Sequence, residues 1–282
     1  MIRVDRRLDL RKALEGARGP EVRLALVPTM GFLHAGHLSL VGLAREKADF
    51  VAASVFVNPL QFGKGEDLEE YPRDLERDVA LLEGKGVDLV FHPSTREMYP
   101  LGSPLVTLDP GEMARGLCGA YRPGHFRGVL TVVARLFGLF RPDIAVFGQK
   151  DYQQAVLIRR MAGDLEMGVE VVVGPVVREE DGLAMSSRNL YLDEEERRDS
   201  VGLHRALLAV ERAFEEGRRS ASTLKRVLGE EVERHPSLSL QYGEVVDPDT
   251  LAPVDPVSPG SVVAVAAYCG ETRLIDNRIL GG

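Results

Sequence analysis

Three short apolar runs separated by amphipathic segments constrain the fold of this chain more than any other feature. The runs at 22–27, 50–57 and 87–91 have the length and composition of buried strands. The segment that begins near Gly36 and the segment 73–84 have the apolar spacing of helices that pack on one face. Because such strands alternate with helices, the sequence predicts an α/β fold with a doubly wound, Rossmann-like parallel sheet covered on both faces.

The same alternation continues to about residue 176. A helix is predicted at 8–18, ahead of the first run, and the segment 102–127, rich in glycine and proline, is predicted to be irregular. Further predicted elements are a helix at 130–140, a strand at 143–147, a helix at 152–165 and a strand at 169–173. The first predicted domain therefore spans residues 1–176.

The chain changes character after residue 176. A polar loop at 178–189 precedes charged amphipathic helices predicted at 194–216 and 220–234. Three strand-like stretches, separated by Pro, Asp and Gly turns, follow at 238–246, 261–268 and 272–279. Helices followed by a strand meander are typical of a small α+β domain, so the second predicted domain spans residues 177–282.

Charge and composition exclude several classes of protein. The 282 residues carry a net charge of −8, and a mildly acidic chain is a poor binder of nucleic acid or anionic membranes. No apolar stretch approaches the ~20 residues of a membrane-spanning helix, and the charged start does not resemble a signal peptide. Cys118 and Cys269 are isolated, which argues against a disulfide framework or zinc knuckle. We therefore expect a cytoplasmic protein with no nucleic-acid or membrane partner.

The loop between the first strand and the following helix has the residues of an anion site. Ligands of doubly wound sheets bind at the carboxyl ends of strands, and a helix N-terminus attracts phosphate. Gly31 and Gly36 allow a close approach to the backbone, and His34 and His37 lie one helical turn apart. Imidazoles there can stabilise phosphoryl oxygens. The equally weighted alternative is that one histidine caps the helix and the other is a surface residue.

Amide side chains are scarce and unevenly placed. The chain contains only eight Asn and Gln residues. Five of them occupy two short segments, which contain Asn58 and Gln61 and then Gln149, Gln153 and Gln154. An amide offers both donors and an acceptor without a full charge, so these segments are candidates for binding a polar ligand.

Two motifs resemble those of a large superfamily. His34-Ala-Gly-His37 is similar to the His-x-Gly-His signature of nucleotidyltransferases and class I aminoacyl-tRNA synthetases. Met185-Ser-Ser-Arg188 is similar to the downstream Met-Ser-Lys-type motif of the same enzymes. More specific stretches resemble the pantothenate synthetase (pantoate–β-alanine ligase) family, namely 28–37, 56–63, 66–73, 148–154 and 181–189.

The resemblance implies an ATP-dependent, two-step reaction. Pantoate attacks the α-phosphorus of ATP and gives pantoyl adenylate and pyrophosphate. β-Alanine then attacks the activated carbonyl and gives pantothenate and AMP. Phosphoryl transfer requires positioning and charge neutralisation from the protein, which polar and basic loop residues supply.

The resemblance also implies roles for individual residues. The implied catalytic residues are His34, His37, Lys150 and Arg188. The implied ATP-binding residues are Met30, His34, Gly36, His37, Asn58, Gly148, Lys150, Asp151, Val177, Met185, Ser186, Ser187 and Arg188. Gln61 and Gln154 are implied to bind pantoate and β-alanine. For several of these the residues alone leave an alternative open: Asp151 as a helix cap, Asn58 as a turn residue before Pro59, and Met30 as a core residue.

Further expectations concern closure, metal and assembly. The smaller C-terminal domain, 177–282, is expected to close over the site. The loop 63–71 is a candidate lid that excludes water, although its carboxylates Glu66, Asp67, Glu69 and Glu70 are expected to be a solvated face. Arg122 and His125 are candidates for lining the site. The resemblance implies Mg²⁺ carried by ATP, with no protein ligand predicted, and a homodimer. Gln149 departs from the Glu usual in the family, and we expect a modest effect.

Two alternatives would share the first domain. A nucleotidyltransferase would leave a stable nucleotidyl product, but its phosphorylated acceptor calls for basic residues where Gln61 and Gln154 stand. A non-catalytic nucleotide sensor would bind without turnover.

Overall fold

The computed structural model describes residues 1–17, 19 and 21–281, which form two compact units. The first unit comprises Met1–Gly111, Arg122–Gly148 and Leu157–Pro175. The second comprises Glu112–Tyr121, Gln149–Val156 and Val176–Gly282.

The first unit is built on a parallel sheet of six strands within the described residues. In chain order the strands are β1 (Ile2–Val4), β2 (Leu24–Thr29), β3 (Phe50–Val55), β4 (Leu89–Phe91), β5 (Ile144–Gly148) and β6 (Glu170–Gly174). Their order in the sheet is β1-β4-β3-β2-β5-β6, and every pairing is parallel. The chain moves outward from β2 in one direction and from β5 in the other, so the order reverses between these strands. The predicted α/β fold is confirmed, and this reversal is where doubly wound sheets bind ligands.

Helices cover this sheet because its strands are apolar on both faces. They are α1 (Arg7–Ala17), α2 (Ala35–Lys47), α3 (Leu75–Gly84), α4 (Thr95–Met98) and α6 (His125–Phe140). Leu26, Val51 and Ile144 are fully buried in the sheet, and Val41 and Leu82 of α2 and α3 are equally inaccessible. α7 (Tyr152–Asp164) begins in the second unit and ends in the first. Short 3-10 helices lie at Pro59–Gln61 and Gly111–Ala114.

The second unit contains an antiparallel sheet of three strands, β7 (Leu238–Val246), β8 (Val262–Cys269) and β9 (Thr272–Ile279). Its helices are α5 (Cys118–Tyr121), α8 (Glu194–Ser200), α9 (Gly202–Glu215) and α10 (Ala221–Val232). Leu207 and Leu224 of the helices and Val265 of β8 are fully buried in one apolar cluster. This unit also holds 3-10 helices at Gln149–Asp151 and Ser187–Tyr191.

Several element boundaries differ from the sequence prediction. The helix predicted at 8–18 is observed at Arg7–Ala17, and Arg18 lies outside the described residues. The segment predicted as one helix at 194–216 is divided into α8 and α9 at Val201. β1 was missed because it is a three-residue strand that pairs only with β4. The nominally irregular segment 102–127 contains α5 and the first turn of α6.

Among the described helices, none combines the length and the apolar character needed to cross a membrane.

Candidate active site

The loop after β2 is held in an unusual backbone conformation by Asp78 of α3. Gly31 and Phe32 are consecutive residues with positive φ, 84° and 49°, which costs free energy at a residue with a side chain. The backbone N–H groups of Phe32 and Leu33 each donate to an Asp78 carboxylate oxygen at 2.7 Å. Glycine is required at position 31 for its positive φ and also for lack of space, since a Cβ there would lie 3.0 Å from both Asp78 Oδ2 and Val55 Cγ1. Asp78 therefore fixes the backbone that leads into the histidine motif.

Burial dominates the electrostatics of Asp78. Its side chain is only 1% exposed, and this desolvation raises the pKa of the carboxyl, while the two backbone N–H groups and Arg77 oppose the rise. Sequence reasoning missed this residue, because an Asp inside an amphipathic helix normally faces solvent.

The two histidines of the motif cap the N-terminus of α2. His34 Nδ1 accepts a hydrogen bond from the Gly36 N–H at 3.2 Å, and His37 Nδ1 accepts one from the His34 N–H at 3.3 Å. Their ring centroids are 4.1 Å apart. Because Nδ1 accepts in both rings, we assign the proton of each neutral ring to Nε2. The capping alternative for His34 is therefore realised. Capping and phosphate recognition use opposite nitrogens of the same ring and are compatible.

Asn58 orients Gln61 through a buried hydrogen-bond network. The Asn58 side chain, only 1% exposed, donates to Gln61 Oε1 and to the Gly128 carbonyl, both at 3.1 Å. Its Oδ1 accepts from Tyr99 Oη at 2.9 Å and from the Leu60 N–H. Burial raises the pKa of Tyr99 to about 12, so its hydroxyl stays a donor at neutral pH.

This network sets which end of the Gln61 amide is presented. Since Gln61 Oε1 is taken by Asn58, its NH₂ group points away from Asn58, and it contacts Met30 Sδ at 3.1 Å. The structure thus brings two predicted site residues, Met30 and Gln61, together. These hydrogen bonds of the Asn58 side chain are all to protein groups, and its predicted contact with the nucleotide stays a prediction.

The candidate lid is tied down by an ion pair. Arg122 donates to both carboxylate oxygens of Glu66, at 2.8 and 2.6 Å. It also contacts His125 Nε2 at 3.1 Å, and His125 Nδ1 lies 2.8 Å from the Gln61 carbonyl. Burial acts to raise the pKa of Glu66, but hydrogen bonding and charge from Arg122 outweigh it and hold the pKa below its usual value. The expectation of a solvated face was therefore wrong for Glu66.

In the second unit, the segment with Lys150 is a 3-10 helix that leads into α7. Gln149 Nε2 donates to Asn277 Oδ1 at 3.1 Å, and Asn277 Nδ2 donates to the carbonyls of Gln149 and Lys150 at 2.9 and 3.0 Å. Lys150 is partly exposed and Asp151 is exposed. Gln154 is also partly exposed, whereas the buried Gln153 donates to the carbonyls of Met113 and Gly116. Gln153 thus holds the backbone of residues 113–116, just before α5, by hydrogen bonds.

The segment with Ser186 and Arg188 follows a small hairpin. Arg178 and Ala184 form an antiparallel bridge, and the Met185 N–H donates to the Val177 carbonyl at 3.0 Å. Ser186 Oγ then accepts from the Arg188 N–H at 3.3 Å and caps the 3-10 helix that starts at Ser187. The backbone of this segment is therefore ordered by its own short-range hydrogen bonds.

The predicted site residues are divided between the two units. The first unit holds Met30, His34, Gly36, His37, Asn58, Gln61 and Gly148. The second holds Lys150, Asp151, Gln154, Val177, Met185, Ser186, Ser187 and Arg188. Among the residues that the structure describes, no three His, Cys, Asp or Glu side chains are grouped as metal ligands.

Similarity to known proteins extends over almost the whole chain. The family model described as pantoate-beta-alanine ligase matches residues 3–279. The pantothenate synthetase of a Thermoanaerobacter species is 49% identical over 281 residues, which cover 100% of this chain and 99% of that protein. The crystal structure of pantothenate synthetase from Thermus thermophilus is similar with a TM-score of 0.93 and 50% identity, and 99% of each chain is covered.

A more distant structure is of interest because of what was bound to it. Pantoate-beta-alanine ligase from Francisella tularensis, complexed with beta-gamma ATP and β-alanine, has a TM-score of 0.83 and 31% identity to this chain, covering 99% of it and 97% of that chain. The chain therefore belongs to the pantoate–β-alanine ligase family and is an enzyme of pantothenate synthesis.

Proposed function

We propose that this enzyme joins pantoate to β-alanine through a pantoyl adenylate. A pantoate carboxylate oxygen attacks the α-phosphorus of ATP, the α–β phosphoanhydride bond breaks, and pyrophosphate leaves. The β-alanine amine then attacks the acyl carbon, the acyl–phosphate bond breaks, and AMP leaves as the amine loses a proton. Adenylation is needed because a free carboxylate is a poor acyl donor at neutral pH.

The capping geometry of the two histidines carries this proposal. With Nδ1 accepting in each ring, Nε2–H of His34 and of His37 is a hydrogen-bond donor at the N-terminus of α2. Such donors stabilise the charge that develops on phosphoryl oxygens. The loop after β2 and Gly148 at the end of β5 flank the reversal in strand order, the usual ligand position of this fold. The Francisella tularensis complex supports ATP and β-alanine as ligands.

Residues of the second unit complete the proposed machinery. Lys150 and Arg188 neutralise phosphate charge, with Arg188 able to contact two oxygens at once. Ser186 and Ser187 donate hydrogen bonds to the phosphates. Asp151, Met185 and the backbone of Val177 bind the nucleotide. Lys150, Asp151, Val177 and the 185–188 segment all belong to the second unit, which makes it the proposed source of the phosphate-neutralising groups.

Neutral amides recognise the acid substrate in this proposal. The NH₂ group of Gln61 is oriented by Asn58 to donate to an oxygen of pantoate, and Gln154 supplies a second amide. A neutral pocket avoids the cost of burying an unpaired charge. Gln154→Ala should raise the KM for pantoate far more than the KM for ATP; equal effects on both would remove Gln154 from the acid pocket.

Water must be excluded, because hydrolysis of the adenylate would waste ATP. The ion pair between Glu66 and Arg122 gives the 63–71 lid a fixed anchor in the first unit. Mg²⁺ is proposed to enter with ATP and to be held mainly by phosphate oxygens and water. The homodimer implied by the family resemblance and the cytoplasmic location expected from the composition stay predictions.

An isotope experiment tests the intermediate. Pantoate labelled with ¹⁸O in its carboxylate is turned over with ATP, Mg²⁺ and β-alanine, and the products are analysed by mass spectrometry. Attack on the α-phosphorus predicts one ¹⁸O in AMP, with unlabelled pyrophosphate. Label in orthophosphate together with ADP would overturn the adenylate in favour of an acyl phosphate. The same assay without β-alanine separates the ligase from a nucleotidyltransferase, which would release a stable nucleotidyl product, and from a sensor, which would not turn over.

A further inference from the structure

Strand β9 carries two adjacent polar residues that are almost completely buried. Asp276 is 4% exposed and Asn277 is 1% exposed. Burying a carboxylate and an amide side by side is costly unless each is fully hydrogen-bonded. Neither residue belongs to the sequence-predicted site, so their contacts call for an explanation.

The Asn277 amide is bonded to the segment that carries Lys150. Both contacts of Nδ2 are backbone carbonyls, those of Gln149 and of Lys150 itself. Oδ1 accepts from Gln149 Nε2 at 3.1 Å. One side chain on β9 thus bonds to two consecutive residues of the short 3-10 turn, which lie 127 and 128 residues away in the sequence.

Asp276, the neighbour of Asn277 on β9, is held by an ion pair. Arg178 donates to both of its carboxylate oxygens, at 2.6 and 3.0 Å, and also to the Gly182 carbonyl. Asp276 Oδ1 additionally accepts from the Asn277 N–H at 2.7 Å. The position of Asn277 is therefore set by an almost buried ion pair as well as by the sheet.

We propose that Asn277 is a positioning residue for Lys150, and that Gln149 is its matched partner. This inference rests on the proposed role of Lys150 in binding phosphate. Asn277 acts through the Lys150 carbonyl. It holds the backbone from which the lysine side chain extends, and this limits the positions that the Lys150 ammonium group can take.

The pairing accounts for Gln149, where this chain departs from the family's usual Glu. With both carbonyls taken by Nδ2, Asn277 presents only an oxygen to residue 149. The glutamine NH₂ group can donate to that oxygen. A carboxylate there would face it without a proton to share, and Asn277 would have to rotate and release a carbonyl of the Lys150 turn.

Two substitutions test the proposal at different severity. Asn277→Ala removes all three hydrogen bonds, whereas Gln149→Glu removes one and keeps the size of the side chain. The readout is single-turnover pyrophosphate release with saturating pantoate. We expect Asn277→Ala to slow adenylation roughly 10- to 100-fold, the range expected when a charge-stabilising group is misplaced by about 1 Å. Gln149→Glu should give a smaller loss of the same kind. In both variants the KM for ATP should rise and that for pantoate should not.

A control and a double-mutant cycle separate positioning from general destabilisation. Gln241→Ala removes another amide of the same small sheet, one that accepts from Arg273 at 3.0 Å, and should leave adenylation unchanged. In a Lys150→Ala background, Asn277→Ala should cost nothing further, because the group that it positions is gone.

The outcomes distinguish the inference from the function on which it rests. If Lys150→Ala alone is near normal, the proposed role of Lys150 fails. Positioning by Asn277 is overturned if Lys150→Ala adenylates slowly while Asn277→Ala and Gln149→Glu adenylate as fast as the Gln241→Ala control. It is also overturned if the rate losses of Asn277→Ala and Lys150→Ala multiply in the double variant. Should Asn277→Ala fail to fold, Gln149→Glu and its own cycle with Lys150→Ala decide the question.

Discussion

The histidine segment of the first unit and the lysine segment of the second are fixed in opposite ways. His34 and His37 are oriented by hydrogen bonds to backbone two and three residues away. The Lys150 turn is held by Asn277, which lies 127 residues further along the chain. A short motif can therefore carry its own geometry when it coincides with a helix cap. The Lys150 turn also depends on hydrogen bonds from a strand that is far away in the sequence.

The largest expected effect tests whether His37 has two separate tasks, with Nδ1 capping the helix and Nε2–H donating to phosphate. Asn places an oxygen near the Nδ1 position of His and has no counterpart of Nε2. His37→Asn should keep the cap yet slow adenylation by about 10²-fold or more, because the donor to phosphate is lost. Single-turnover rates and thermal midpoints are measured on the same samples.

His37→Gln is the matched variant, since its amide reaches toward the Nε2 position. It should retain more rate than His37→Asn and less stability. If both variants lose stability and rate in proportion, the two nitrogens do not have separate tasks.

The histidine loop also has one contact from far along the chain, since Asp78 accepts hydrogen bonds from the Phe32 and Leu33 N–H groups. The difference between the histidine segment and the Lys150 turn is therefore not complete. Asp78→Asn replaces one carboxylate oxygen by a donor that faces a backbone N–H. We expect a loss of about 1.5–3 kcal/mol in the free energy of unfolding, the range for hydrogen bonds to a charged group, and slower adenylation. Urea denaturation and pyrophosphate release provide the measurements.

Asp74 of the same helical segment supplies the control. It caps α3 by accepting from the Arg77 N–H at 3.1 Å, and Asn is an equally good cap. Asp74→Asn should therefore be nearly neutral. Equal behaviour of the two variants would mean that the histidine loop needs no distant support, and the contrast with Lys150 would become complete.

A smaller effect is expected at Tyr99, which lies outside the motifs. Tyr99→Phe removes one hydrogen bond to Asn58 and loosens the orientation of Gln61. A typical net hydrogen bond contributes about 0.5–1.5 kcal/mol, so the KM for pantoate should rise several-fold, with little change for ATP. Tyr121→Phe removes a hydroxyl that donates to a backbone carbonyl and is the control. A shift in the KM for ATP of the same size would show that Gln61 is not the group affected.

The smallest effect concerns the anchor of the lid. In the folded protein the pKa of Glu66 lies below its usual value of 4.5, so the stability that Glu66 contributes is present above that value and is lost as the pH falls through the folded pKa. Glu66→Gln should therefore be less stable than the parent by about 1 kcal/mol or less at pH 7. This difference should shrink as the pH falls below 4.5. Denaturation across pH 3–7, with Glu69→Gln in parallel, checks the sign; a constant difference would exclude the ion pair as its source.

The elements that could be predicted from sequence are those encoded over short distances. The apolar runs specified the buried strands, and the loop after the first strand was recognisable from its glycines and histidines. The scarcity of amides pointed to Asn58, Gln61 and Gln149. The same argument could have reached Asn277, another of the eight amides, but nothing in its neighbours distinguishes its strand from an ordinary edge.

Tertiary structure decided the contacts whose partners lie far apart in sequence. Asp78, Asp276 and Asn277 resemble surface residues in the sequence, yet each is at most 4% exposed, because a partner from another element supplies its hydrogen bonds. Local hydrophobic periodicity and capping chemistry depend on residues within a few positions, so the sequence by itself determined the fold class and the candidate chemistry. Which buried polar group bonds to which backbone group depends on strand order and packing, so only the folded chain determined how the segments of the candidate site are held.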